Sequence, residues 1–95
     1  MDNMAKIRKH IIFTGRVQGV GFRYTASRYA NIYHLTGWVK NEYDGTVSME
    51  AQGFAANIDK LLYALVTDTY IHIDKIDSEK IQLAEDETGF KIRGY

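Results

Sequence analysis

Leu35-Thr36-Gly37-Trp38-Val39-Lys40-Asn41 and Thr46-Val47-Ser48-Met49-Glu50-Ala51-Gln52 are two strand-like runs on either side of a short stretch containing Tyr43-Asp44-Gly45. Asp-Gly between two such runs signals a hairpin, because both residues tolerate the backbone angles of a tight turn. In the second run Val47, Met49 and Ala51 face one way and Thr46, Ser48, Glu50 and Gln52 the other, which predicts a strand with one apolar face. That face needs a cover, and the flanking sequence supplies it. Upstream, Phe22, Ala26, Tyr29, Ala30 and Tyr33 recur at helical spacing and predict an amphipathic helix from Phe22 to near His34. Downstream, Phe54, Ile58, Leu61, Leu62 and Leu65 repeat the same spacing and predict a second helix from after Gly53 to about Val66.

Further outward, Ile7 to Thr14 carries Ile11, Ile12 and Phe13 in a β-branched and aromatic run that ends at Gly15, the pattern of a buried first strand. Ile71 and Ile73, then Ile81 and Leu83, predict a fourth strand in two pieces with a parity break near Ile76, and Phe90-Lys91-Ile92-Arg93 predicts a short last strand. The order β-α-β-β-α-β plus a short extra strand is an α+β arrangement. It is the ferredoxin-like α/β sandwich: an antiparallel sheet with two helices on one face and the other face open. That architecture serves many unrelated functions, so the loops must decide this one.

A chain of 95 residues, 45% hydrophobic and 25% charged, is expected to form a single domain over 1–95 with one modest core. Twelve basic and twelve acidic side chains cancel, so no net field draws a polyanion, and no nucleic-acid partner is expected. Without cysteine there is no disulfide, thiolate nucleophile or cysteine-ligated metal. Met1-Asp2-Asn3-Met4-Ala5-Lys6 lacks the apolar region of a signal peptide, and no run is long enough to span a bilayer. The expectation is a cytoplasmic monomer with no membrane partner.

The chemistry-bearing segment is Gly15-Arg16-Val17-Gln18-Gly19-Val20-Gly21-Phe22-Arg23, between the first strand and the first helix. Glycines that accept positive φ let successive N–H groups converge on an anion at a helix N-terminus, and the planar fork of Arg23 can bond two phosphate oxygens at once. A Walker loop would need Lys then Ser or Thr after its last glycine, and the final glycine of a dinucleotide fingerprint is missing. On residue types alone, a plain strand-to-helix turn beside a solvated arginine fits the same segment.

The segment resembles the signature of the acylphosphatase family, Gly-x-Val-Gln-Gly-Val-x-Phe-Arg, matched at every fixed position by Gly15 to Arg23. A second family pattern, Gly-x-Val-x-Asn followed by Asp-Gly-x-Val, is matched by Gly37 to Asn41 and Asp44 to Val47. The similarity continues through Ala51-Gln52-Gly53 to Gly89-Phe90-Lys91-Ile92-Arg93. It departs at Thr67 to Ile73, where the family commonly has a Gly/Pro turn and then Ala-x-Val, and, to a lesser degree, at Gly94 before Tyr95.

The resemblance implies hydrolysis of a small-molecule acyl phosphate to a carboxylate and inorganic phosphate, without metal or cofactor. It places the phosphate-binding arginine on Arg23, the water-orienting asparagine on Asn41, and the backbone phosphate loop on Gly15, Arg16, Val17, Gln18, Gly19 and Val20. An amide suffices to orient water, because phosphoryl transfer passes through a loose transition state, and a carboxylate leaves without needing an acid.

His10, His34 and His72 match no ligand spacing, so no metal is expected. Glu42 and Asp44 flank the turn and read as turn residues rather than a catalytic pair, and the Arg16 side chain reads as solvated. Trp38 and Tyr24 are candidates for either a substrate pocket or packing. The rival reading is a non-enzymatic ferredoxin-like anion-binding module, which would keep the glycine cradle and Arg23 but have no use for Asn41. An RNA-binding sheet is disfavoured by the missing aromatic signature and the zero net charge.

Overall fold

The computed structural model describes residues 5–94. Met1–Met4, where the targeting reading began, and Tyr95 lie outside the described residues. The elements run β1 (Lys6–Arg16), α1 (Phe22–Ile32), β2 (Thr36–Asn41), β3 (Val47–Phe54), α2 (Ala55–Val66), β4 (His72–Ile81) and β5 (Phe90–Arg93). They form one sheet in the order β4-β1-β3-β2-β5. The central hairpin is as the sequence predicts: Asn41 pairs with Val47, Val39 with Met49 and Gly37 with Ala51.

Side-chain alternation then sorts the sheet into two faces. Ile11 and Phe13 of β1, Val39 of β2 and Val47, Met49 and Ala51 of β3 are all fully buried under the helices. From α1, Phe22, Ala26 and Ala30 meet them, and from α2, Ile58, Leu61 and Leu65. Tyr29, Tyr33 and Leu62 pack half-buried at the edge of this core, and Phe54 sits at the N-cap of α2 rather than inside it.

Helix α1 ends where expected, through His34 at φ 58, with Leu35 N–H donating to Ala30 O at 2.8 Å and His34 N–H to Asn31 O at 3.2 Å. These two bonds make a Schellman cap with histidine in the position glycine usually takes.

Strand β4 is continuous rather than in two pieces. Thr14 pairs with Lys75 and Gly15 with Ile73, so Asp74 is bulged out of the β1–β4 ladder. The bulge shifts parity and lets Ile73 and Ile76 both pack on the core despite their odd spacing. Leu83 falls beyond the strand and is exposed. In place of a Gly/Pro turn after α2, the Thr67 hydroxyl donates to Tyr63 O at 2.8 Å and the Asp68 carboxylate accepts from Tyr70 N–H at 2.9 Å.

The four strands β4-β1-β3-β2 are antiparallel, as expected, whereas β5 joins β2 in parallel and makes the five-stranded sheet mixed. The chain must cross from one sheet edge to the other between β4 and β5. It does so over the face opposite the helices, so that face is partly covered rather than open. Ala84 N–H donates to Gln52 Oε1 at 2.8 Å, Gln52 Nε2 returns a bond to Ala84 O at 3.0 Å, and Arg8 forks onto Glu87 at 2.7 and 3.1 Å. Arg8 and Gln52 are buried as a result.

Candidate active site

Both β1 and β2 run antiparallel to β3, so their C-terminal ends lie at the same end of the sheet. β5, parallel to β2, also ends there. The topology therefore brings together the segment after β1, the start of α1, Asn41 at the end of β2, and Ile92 and Arg93 of β5.

A cleft of about 280 Å³ opens at this end. Val17 and Phe22, both buried, form its floor, and Gly19, Gly21 and Arg23 line one side. Gly19 and Gly21 have φ of 74° and 77°, the left-handed region that glycine enters without steric cost. Gly21 is also the N-cap of α1, with no side-chain bond to the cap and no acidic residue in the first turn. The first N–H groups of the helix and its positive dipole end are thus not neutralised by a neighbouring carboxylate.

Arg23, in that first turn, donates from Nη1 to the Arg93 carbonyl at 2.9 Å. This bond spends one of five donors and fixes the guanidinium against β5, leaving the fork to engage an anion.

Asn41 reaches the same cleft from β2 and is 8% exposed. It shares the helix side of the sheet with Val39, which keeps its amide on the side of the glycine loop and α1. The loop and the hairpin are tied directly: Gln18 Nε2 donates to Glu42 O at 2.7 Å and to Thr46 O at 2.8 Å. Thr46 O also accepts from Glu42 N–H at 2.9 Å, closing the base of the hairpin. Beyond it, Asp44 Oδ1 accepts from Thr46 Oγ1 at 2.7 Å and from Thr46 N–H at 3.0 Å, and these bonds, the hydroxyl's first, hold the Asp44 pKa below its usual value. Asp44 is thus a turn residue, while Glu42 accepts from the Ser48 hydroxyl.

Of the loop residues assigned from sequence, Gly15 and Arg16 lie within β1, pairing with Ile73 and His72, and the Arg16 side chain is exposed. Val17 and Gly19 line the cleft, Gln18 clamps the hairpin, and Val20 packs against the core. Gly21, Tyr24 and Ile92 complete the lining. Gly21 carried a readable signal, being the third glycine of the loop. Ile92 did not, because only the parallel docking of β5 brings it there.

Trp38 is on the opposite sheet face, beneath the Arg93 guanidinium at 4.7 Å and edge-on to His10 at 6.1 Å. It does not line the cleft. His10 bonds Glu50 at 2.9 Å, and no group of three or more potential ligands that could hold a metal occurs among the described residues.

The acylphosphatase family model matches residues 9–92. An acylphosphatase of Geobacillus thermodenitrificans is 43% identical over 86 residues, 90% of this chain and 92% of that protein. One from Clostridium acetobutylicum is 46% identical over 79 residues, 82% of this chain and 87% of its own. The crystal structure of acylphosphatase from Bacillus subtilis superposes with a TM-score of 0.85 at 33% identity, covering 92% of this chain and 98% of that one. A cleft built from both signature segments, in a chain that the family model matches over residues 9–92 and whose backbone follows that of the Bacillus subtilis enzyme, places the protein in the acylphosphatase family.

Proposed function

We propose that this acylphosphatase hydrolyses carboxyl-phosphate anhydrides in the cleft between β1, α1 and β2. The phosphate rests on backbone N–H groups of the loop over Gly15, Arg16, Val17, Gln18, Gly19 and Val20 and on the first turn of α1, where Arg23 forks onto two of its oxygens. Asn41 orients a water for in-line attack on phosphorus. The new bond joins that water's oxygen to phosphorus, and the bond from phosphorus to the bridging oxygen breaks. Its electron pair leaves on the carboxylate, and the water's two protons end on dihydrogen phosphate. No general acid is needed, because the carboxylate departs as an anion, and no strong base, because the transition state is loose. The protein's work is positioning and neutralising charge on the equatorial oxygens.

The observation that carries this reading is the convergence of Arg23 and Asn41, from different elements, on one cleft. A module that only bound an anion would have no use for a buried amide at that point. Residues 1–95 act in this reading as a single acylphosphatase-like domain, a cytoplasmic monomer working on a small molecule, with neither nucleic acid nor membrane as partner. A formal net charge of zero supports it, as does one core shared by both helices and the sheet. No helix among the described residues is long and apolar enough to cross a membrane.

The test is hydrolysis of benzoyl phosphate, with EDTA present, by the wild type, Arg23→Ala and Asn41→Ala, each checked for native circular dichroism. Wild-type turnover that falls by at least about 10²-fold in both folded variants is expected, since losing one transition-state donor costs that much. Inactivity of the wild type, or full activity of either variant, overturns the assignment in favour of an anion-binding module.

A further inference from the structure

The lining of the cleft divides by task. Arg23 and the loop glycines serve the phosphate, Asn41 the water, and buried Val17 and Phe22 form the floor. Two lining side chains have no part in any of this: Tyr24, 72% exposed, and Ile92, 47% exposed. They stand at the mouth, on opposite elements. Tyr24 follows Arg23 on α1 and Ile92 precedes Arg93 on β5, so the bond from Arg23 Nη1 to Arg93 O, 2.9 Å long, ties together the two elements that carry them, and both side chains line the one cleft.

We infer that Tyr24 and Ile92 form an acyl-binding wall that selects acyl phosphates with neutral, apolar acyl groups, aromatic ones foremost. This rests on the acylphosphatase reading and adds the substrate class to it. A carboxyl phosphate seated on the loop has a buried floor behind it, so its acyl group must leave through the mouth, where these two side chains supply apolar surface. Among the described residues, Arg23 is the only charged side chain in the lining. A second anionic group on the acyl chain would find no second cation there, and an ammonium group would find no carboxylate. A flat ring can lie against Tyr24 and Ile92 together, whereas a methyl group covers little of either.

The experiment has a binding arm and a hydrolysis arm. Calorimetry with benzoylphosphonate and acetylphosphonate, stable analogues that keep the phosphoryl group and differ in the acyl part, should give about tenfold tighter binding of the aromatic analogue. The preference should fall to within about twofold in the Tyr24→Ser/Ile92→Ser variant and to an intermediate value in Tyr24→Ser alone, while affinity for inorganic phosphate stays that of the wild type. Hydrolysis of benzoyl and acetyl phosphate, each rate divided by its spontaneous rate, should show the same ratio and place it in KM rather than kcat. Equal binding of the two analogues by the wild type, or a preference that survives the double substitution, overturns the inference. Absence of hydrolysis with the binding preference intact refutes the catalytic reading and leaves the acyl wall standing.

Discussion

Gln18 shows how much of this site depends on side chains that need not touch the substrate. Its side-chain amide bridges two carbonyls at the base of the hairpin, and the first belongs to Glu42, next to Asn41. The loop after β1 and the end of β2 that carries Asn41 are therefore set relative to each other by one amide. Gln18→Glu keeps the shape but faces a carboxylate toward two carbonyl oxygens. At neutral pH kcat should fall about 10- to 100-fold, the cost of a small misplacement of reacting groups. The deficit should shrink toward pH 4, where the introduced carboxyl regains a proton to donate. A pH–rate profile beside the wild type checks this, and a deficit independent of pH would contradict the clamp.

The signature places Gln18 in the loop backbone, and nothing in the sequence says that its side chain spans to residues 42 and 46. Arg23 and Asn41 are legible as candidates because each closes a signature, and both line the cleft. Tyr24 was legible only as one of two aromatic candidates, and the faces of the sheet decide between them: Tyr24 lines the cleft, and Trp38 lies on the far side under Arg93.

At the scale of elements, hydrophobic period located both helices, the hairpin and β5, because each carries an apolar repeat of its own. What local pattern did not reveal was the path of the 82–89 connection and the fate of the second sheet face. Both depend on Arg8 meeting Glu87, partners that lie at opposite ends of the chain. Burial pushes the Glu87 pKa up, but the bonds from Arg8 and Thr36 and the charge of Arg8 outweigh it, so the net shift is downward.

A carboxyl with a depressed native pKa contributes stability above its unfolded value, about 4.3, and loses it as pH falls through the native one. The wild type should accordingly lose this contribution below about pH 4. Glu87→Gln should cost about 2 kcal/mol at pH 7, the worth of a charged hydrogen bond in a partly buried setting. The gap between the two proteins should close as pH drops below 4. Urea unfolding at pH 7, 5 and 3 measures it, and a gap unchanged at pH 3 would remove Glu87 as the source.

For the whole molecule, the radius of gyration of 12.3 Å is what a single compact domain of this length gives, about 12 Å. The proposed monomer requires that β4 not pair with a second copy, because among the described residues β4 is an edge strand with one side of its backbone ladder unpaired. Its sequence answers: Asp74, Lys75, Asp77, Glu79 and Lys80 are exposed along it, with Lys75 and Asp77 only 3.7 Å apart, and Asp74 is the bulged residue. A second copy adding to this edge would have to strip water from a row of charges and match a ladder kinked by the bulge. The exposed charges oppose self-association without touching the core or the cleft, and the bulge does so while seating Ile73 and Ile76 on the core. The wild type should sediment as a monomer at about 100 µM, where an unprotected edge of this length would pair. Asp77→Thr/Glu79→Val/Lys80→Thr, changing only exposed positions, should keep benzoyl phosphate turnover within about twofold while shifting sedimentation toward dimers or larger species. A triple variant that stays monomeric would mean that the bulge at Asp74 alone guards the edge, and a wild type that dimerises would overturn the monomer proposed above.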